Sequence, residues 1–527
     1  MSEVDLTGLA QGGKEQVDSK PLTPMQEVNA ALKECGFGIF HARLLLTSFI
    51  GIIASVLVST STSYLLPSAE CDLHMDLVQK GLLNAIPYFG MLFSSVIAGF
   101  LTDTFGRKIF ITTGLSGIFI FTNVAASSQV YNVLIAAKFF EGFLFATAFS
   151  AAVTLTSEFC HNGIRDRVLI CQSSFIAMAQ IIIACLSWVI LTNDWHVSFF
   201  DGGFVLNTWN FYLAIMSLWS LVATILYLFI PESPKYLVTQ SKFEEARAIL
   251  LKIYKTNTGN SEENFKYKDL WKKSKATIPE ETDKINRSFS HNLVVGLHNT
   301  KPMFKRPLVL HLILICTMNF FIMSLYNVLR LWYPQVSTVI EHNSFVTPDG
   351  ENQNLCGMLD SYTSTFRNDN KTTSDICVPV KSGSETYINS IIIGFICIIP
   401  FFISGILVNR IGKKPLLITA TMISLAATFS LRFASSKVAV VTLFALNTAI
   451  LQMLMSLSQA VVIEFFPTTT RTLAISMIMM AGRIGTLVGN VSFPVLLKMA
   501  CVIPFSTMSG MMLCVVTISM FLPSKKK

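Results

Sequence analysis

Twelve times along the chain the sequence runs for about twenty residues almost without a charge. The runs lie near 43–66, 81–102, 109–127, 131–156, 168–192, 208–230, 308–333, 387–408, 415–433, 438–463, 473–494 and 503–522. A spanning helix needs roughly 20 mostly apolar residues, because the hydrocarbon core is about 30 Å thick and each residue rises about 1.5 Å. Each run meets that length. Composition agrees: 52% of the 527 residues are hydrophobic, Phe occurs 41 times and only 14% are charged, against about 25% in an ordinary soluble domain. The mean hydropathy is +0.56. These values exclude a disordered chain, a secreted disulfide scaffold and a cytosolic enzyme, and predict a polytopic helical membrane protein. A net charge of +8 is too mild for a nucleic-acid binder. The first run follows about forty polar residues and is too long for a cleaved leader, so it reads as the first span.

The distribution of Lys and Arg sets the orientation. With both termini in the cytoplasm, 30 of the 40 basic residues fall on the inner side. The inward 231–306 segment alone holds 15 basic against 9 acidic residues. The main outward loop, 334–386, holds three basic against seven acidic. An even number of spans agrees with this placement.

An internal repeat carries more information than any single motif. Gly99-Phe-Leu-Thr-Asp103-Thr-Phe-Gly106-Arg107-Lys108 follows the second run, and Gly405-Ile-Leu-Val-Asn409-Arg410-Ile-Gly412-Lys413-Lys414 follows the eighth. Glu158, with Arg165 seven residues on, follows the fourth run; Glu464, with Arg471 seven on, follows the tenth. Both motifs repeat at the same offset of 306 residues. Two dissimilar motifs at one offset predict two six-helix halves of like topology. The glycines let helices approach and the chain turn. Asp103 ends one helix near the start of the next, where a carboxylate is favoured. Arg107 and Lys108 can pair with it and with Glu158. Such pairs are suited to latch one face of a two-bundle machine.

Gly99–Lys108 resembles the signature loop of the major facilitator superfamily. Pro231-Glu232-Ser233-Pro234-Lys235-Tyr236-Leu237, after the sixth run, is similar to the signature of its sugar-porter and organic-ion-transporter branches. Glu34-Cys35-Gly36-Phe37-Gly38-Ile39-Phe40, Leu66–Leu73 and Trp332-Tyr333-Pro334 resemble synaptic vesicle glycoprotein 2 and its relatives. The resemblance implies an all-α membrane protein with twelve transmembrane helices in two pseudo-symmetric six-helix bundles. The expected division is a tail at 1–42, bundles at 43–230 and 307–522, a cytoplasmic linker at 231–306, the outward loop 334–386, and a tail at 523–527. There are departures. The first span, where the synaptic vesicle proteins carry acids, reads Ala54-Ser55-Val56-Leu57-Val58-Ser59-Thr60-Ser61-Thr62. Asn409 replaces an expected acid, Thr104 stands where a basic residue is usual, and Lys138 where Arg is usual. The C-terminal sugar-porter signature is missing, which argues against a hexose carrier.

An ionisable residue inside a span is costly and is a functional candidate. Lys138 and Glu141 sit at i, i+3 in the fourth run and can pair. Arg330 lies near the outer end of the seventh, either snorkelling outward or attracting anions. Arg483 lies midway in the eleventh, in a stretch similar to one lining the cavity of organic-ion transporters. Tyr326 and Trp332 supply aromatic walls for a ligand at Arg483. His311 and Asn319 are weaker candidates, Asn319 for a bond between helices.

In the outward loop Cys356 and Cys377 are the disulfide candidates, with Cys71 a third outward cysteine, and Asn370 opens a glycosylation sequon. The other cysteines are expected in spans or facing the cytoplasm. In the linker Phe243, Ala246, Leu250 and Ile253 share one helical face, and the polar residues 256–290 read as mobile.

The expected activity is secondary active or facilitative transport of a small organic solute, an organic anion or zwitterion, by alternating access. The alternative is a transport-inactive, synaptic-vesicle-glycoprotein-like protein acting in vesicle trafficking. No phosphate-binding loop, metal cluster or nucleophile motif is present in the sequence, so an enzyme or ATP-driven pump has no support. No cofactor and no nucleic acid are expected. The partners are the solute and the lipid bilayer, and the chain is expected to be monomeric in a plasma or vesicle membrane.

Overall fold

Lipid-facing backbone must satisfy its own hydrogen bonds, and the apolar runs accordingly fold as helices. The computed structural model describes residues 23–199, 201, 203–271, 305–306, 308–342, 353–367, 381–466 and 468–522. In chain order the elements are α1 (Pro24–Cys35), α2 (Ile39–Ala69), α3 (Leu77–Phe105), α4 (Arg107–Ala126), α5 (Tyr131–Glu158) and α6 (Asn162–Leu191). A short hairpin follows, β1 (His196–Phe199) and β2 (Phe204–Asn207), then α7 (Thr208–Phe229), α8 (Pro234–Thr239) and α9 (Phe243–Thr258). After these come α10 (Leu308–His342), α11 (Leu355–Arg367), α12 (Ser384–Ile411), α13 (Lys413–Leu431), α14 (Lys437–Phe465), α15 (Thr468–Met499) and α16 (Val502–Phe521). Among the described residues, 10 helices are long and apolar enough to cross a membrane. The two remaining apolar runs carry α3 and α12, of 29 and 28 residues.

The helices before residue 231 share two apolar cores, one including Leu115, Leu155 and Tyr227, the other Leu65, Ile183 and Tyr212. Those after residue 307 share a third, which includes Ile322, Leu451 and Met512. The N-terminal and C-terminal helices meet along α3 against α15, α6 against α12, and α2 against α10. Tyr64, near the end of α2, stacks on Tyr387 at the start of α12. Lys80 at the start of α3 reaches Tyr362 of α11. Thus α3 and α12 both begin on one face, called here the far face. Both end on the opposite, basic face, where the repeated Gly106 and Gly412 turns follow them. These two glycines adopt φ of 97° and 91°, the left-handed region in which a side chain would be strained.

Close backbone approach fixes the seam between α3 and α5. A Cβ placed on Gly142 would overlap the Pro87 carbonyl, and one on Gly90 would overlap the Phe139 carbonyl. Small residues at such crossings replace the hydrophobic driving force that lipid does not supply.

On the basic face, α9 buries Ala246, Leu250 and Ile253 as the amphipathic spacing predicts, together with Tyr254. The Asn257 amide ties it down: Nδ2 donates to the carbonyls of Cys35 and Gly36, and Oδ1 accepts from the Phe40 N–H at 2.9 Å. The expectation of a mobile segment from residue 256 is corrected for its first part. Phe265, Leu270 and Trp271 are buried in the N-terminal core, because three apolar side chains in an otherwise polar stretch find a surface left open by α9. Residues 272–290 lie outside the described residues.

The expected Cys356–Cys377 bridge is also corrected. Cys356 is bonded to Cys501, with Cα atoms 5.3 Å apart. The loop folds back as α11 over the start of α16, so a cysteine 145 residues away becomes the neighbour. Cys501 therefore sits in a far-face turn, not in a span or on the basic face. Cys71 is disulfide-bonded as well. Cys377 and Asn370 lie outside the described residues. Asp360 Oδ1 accepts from the Cys501 N–H at 3.0 Å, and the Leu355 N–H donates to the Ala434 carbonyl at 2.8 Å, fixing α11 to the C-terminal helices.

Gly142→Leu forces a branched side chain into the Pro87 backbone. It should cost about 3 kcal/mol, the range of severe overpacking. Thermal unfolding of detergent-purified protein measures this, and a melting temperature equal to that of the unaltered chain refutes the close-approach account.

Candidate functional site

Two polar constellations stand out from the apolar helices. The first lies on the basic face. Gly106 turns the chain so that Arg107 NH2 meets Glu158 Oε1 at 3.1 Å at the end of α5, with its guanidinium 4.8 Å over the Tyr236 ring. Glu232 Oε2 accepts from the Lys108 N–H at 3.0 Å, where the start of α4 leaves amides unpaired. Ser233 caps α8 by accepting from the Tyr236 N–H, and Pro234 occupies its first turn. The Tyr236 hydroxyl donates to the Thr104 carbonyl at 2.9 Å, and Lys235 Nζ to the Cys160 carbonyl at 2.8 Å. Burial, and then Arg165, pull the Lys235 ammonium below the ordinary lysine value. The Pro231–Pro234 signature thus docks α8 beneath the 99–108 turn. These contacts all lie within the N-terminal helices. In the second copy, Arg410 is exposed and Lys413 Nζ donates to the Ala460 carbonyl at 3.0 Å; Lys414 is half-buried. The side chains of Asp103, Asn409, Glu464 and Arg471, and the surroundings of Gly99 and Gly405, lie outside the described residues.

The second constellation lies between the two sets of helices. Arg330 of α10 lines a cavity of about 40 Å³ with Thr60, Tyr64, Gln180, Tyr333, Ser390 and Thr448. That volume holds a water or two, or a group the size of formate, and no larger organic solute. The Arg330 guanidinium donates to Tyr88 Oη at 3.0 Å, to Asn327 Oδ1 at 3.3 Å, and, at the limit of hydrogen bonding, to Thr60 at 3.4 Å and Ser59 at 3.5 Å. Its Nε has no partner among the described residues. Tyr326 places its ring 5.6 Å from the guanidinium, and its hydroxyl accepts from Gln180 of α6 at 3.2 Å. Among the described residues no carboxylate pairs with Arg330. Arg483 of α15 likewise meets a neutral group, donating to the Met91 carbonyl at 3.1 Å.

Every other cation buried in this region has an acid. Lys138 pairs with Glu141 at 2.9 Å and also donates to Ser61 at 3.3 Å. Lys80, fully buried, pairs with Glu70 at 2.5 Å and donates to Tyr362 at 3.0 Å. The polar, acid-free run Ser59-Thr60-Ser61 of α2 therefore serves two cations at once.

The remaining expected site residues fall elsewhere. Trp332 is buried in the C-terminal core, its ring 5.2 Å from Phe493. Asn319 donates to the Ile478 carbonyl at 2.7 Å and accepts from Ser458, joining α10, α14 and α15. His311 stacks on Phe465. The structure brings Tyr326 to Arg330 and not to Arg483. Nothing in the sequence marks Tyr88, Asn327 or Gln180, since lone amides and phenols in spans are common. Lys80 was missed because it precedes the apolar run; its burial becomes visible only when α11 covers it.

Long apolar helices in two halves with repeated turns, meeting at a half-buried polar seam, define the fold of a polytopic membrane transporter. The chain belongs to the sugar (and other) transporter family, whose model matches residues 39–331; residues 381–527 match the major facilitator superfamily. Among curated proteins it is 26% identical to synaptic vesicle glycoprotein 2B of Rattus norvegicus over 227 residues, 43% of this chain and 33% of that protein. It is also 26% identical to synaptic vesicle glycoprotein 2C of Mus musculus over 235 residues, 44% and 32% of the two chains. The matches thus span about a third of these relatives. The fold is that of the inward open xylose transporter XylE from E. coli, with TM-score 0.64 and 15% identity over 92% of this chain and 98% of that one. It is also that of the nucleoside transporter NupG, with TM-score 0.58 and 12% identity over 92% and 99%.

Gly106→Ala would put a Cβ 2.5 Å from Glu232 Oε2 at a φ of 97°. It should lower stability by about 1–3 kcal/mol. Thermal unfolding checks this, and an unchanged melting temperature refutes the docking of Glu232 beneath the turn.

Proposed function

We propose that the chain carries a small organic anion or zwitterion across a plasma or vesicle membrane, by secondary active or facilitative transport. In this reading twelve spans form two six-helix bundles, termini on the cytoplasmic side, that rock about a central site. One observation carries the choice of anion. Arg330 is a cation on the cavity wall with only neutral oxygens around it, whereas Lys80 and Lys138 each have a carboxylate. A charge taken out of water costs several kcal/mol unless it is compensated. A carboxylate, sulfonate or phosphate on the solute supplies that compensation, and the Tyr326 and Tyr64 rings suit an organic body. Arg483, closer to the basic face, is a second point of contact along the path. The cavity is too small for a solute in this posture, so entry requires the halves to part.

Proteoliposomes loaded with a panel of labelled carboxylates and sulfonates test the proposal. Arg330→Ala, inserted and folded as the unaltered protein, should lose at least about tenfold in uptake, as for a charged group lost from a transported ion's site. Arg330→Lys should retain part of it. Equal uptake by Arg330→Ala overturns the assignment.

The curated relatives support a second reading, a transport-inactive vesicle protein. Under it, reconstituted protein moves no solute of any class, and vesicle proteins co-precipitate with its soluble segments.

A further inference from the structure

Around Arg330 the helices leave a cavity of about 40 Å³, too small for a solute of several heavy atoms, and groups from the opposite half bond to its guanidinium. Arg330 and Asn327 stand on α10, whereas Tyr88, Ser59 and Thr60 stand on α3 and α2. The Tyr88 hydroxyl does two things. It accepts from Arg330 at 3.0 Å and donates to Asn327 Oδ1 at 3.0 Å. Asn327 is itself held by its amide nitrogen, which donates to the Met323 carbonyl at 3.0 Å and to Thr486 at 2.9 Å, so its oxygen is turned toward the seam. Other contacts between the halves flank this point: Arg483 reaches the Met91 carbonyl on the basic side, and further contacts lie around it and toward the far face. Gln180 reaches Tyr326, Tyr64 stacks on Tyr387, and Gly81 packs on the Asn490 backbone and Pro494.

We propose that the Tyr88 hydroxyl, helped by Thr60 and Ser59, is an internal substitute for the solute's anion, which lets the unloaded carrier close its far face over Arg330. The inference rests on the anion reading of Arg330 and adds its consequence for the empty carrier. If Arg330 had to enter a dry seam alone, the desolvation cost would hold the empty protein open and force strict exchange of one solute for another. A ring of neutral oxygens offsets that cost in part, so the empty carrier returns and net movement of solute in one direction is allowed. The substitution is incomplete, because Nε is left without a partner among the described residues and two of the bonds are long. A carboxylate therefore outcompetes it, and the unpaired Nε is the donor it would take first. Tyr88 is a positioning residue here and not part of the solute's own contact set.

The experiment needs no identified solute. Spin labels are placed at Leu82→Cys and Val438→Cys, exposed positions near the far face on the two halves, in a background without other free cysteines. Distances are measured in lipid nanodiscs with no added anion. The doubly labelled protein with Tyr88 and Arg330 intact should give a single short distance. Tyr88→Phe, which keeps the ring and loses the hydroxyl, should shift most of the population to a longer distance. Formate, a carboxylate small enough for the cavity, should restore the short one, and should fail to do so when Arg330→Gln is added. Thr60→Val, which removes a weaker partner, should give a smaller shift and serves as the second variant. An unchanged distribution in both variants, or an opening that formate does not reverse, overturns the inference. Either result leaves the anion reading to its own uptake test, since Arg330 could bind a solute without a substitute in the empty state.

Discussion

The polar contacts of the seam centre on an unbalanced charge, that of Arg330. Arg330 stands where the N-terminal and C-terminal helices meet, and it has no acid to neutralise it among the described residues. Neutral oxygens from α2, α3 and α10 therefore converge on it. These bonds join helices of the N-terminal and C-terminal sets across the seam. A charge of this kind does not strengthen a fold in the way a good apolar contact does. It specifies instead which surfaces meet and what chemistry could part them.

Around that centre the protein uses two further devices. Glycines at 90 and 142 let helix backbones touch where side chains would hold them apart. Charged turns at one face tie the N-terminal helices to α8 and the segment before it: Arg107 to Glu158, and Glu232 to the Lys108 amide. Close-packed helices and a polar seam are complementary properties, one fixing the neighbours of each helix and the other the groups that meet across the seam.

Much of this was legible in the sequence and some was not, for physical reasons. Apolar runs of the right length were visible because lipid imposes a length and a hydropathy on each helix. The turn motifs were visible because Gly106 and Gly412 need a left-handed backbone and recur with their basic neighbours. The face of α9 followed from helical spacing. The Cys356–Cys501 bridge was not legible, because spacing along a chain carries no information about where a loop folds back. Tyr88 and Asn327 were not legible either, since a phenol or an amide in a span gains its meaning only from the cation placed opposite. Lys80 was not legible because it precedes the apolar run, and only Glu70 and α11 together account for its burial.

The disulfide has a mechanical meaning. Because Cys356 is joined to Cys501, α11 is carried as a rider on the C-terminal helices, yet its Tyr362 leans across to Lys80 of the other half. That makes the solvent-side surface of this short helix a natural handle. A nanobody or macrocycle that clasped α11 and the neighbouring 77–81 segment together would hold the two sets of helices to each other at the far face.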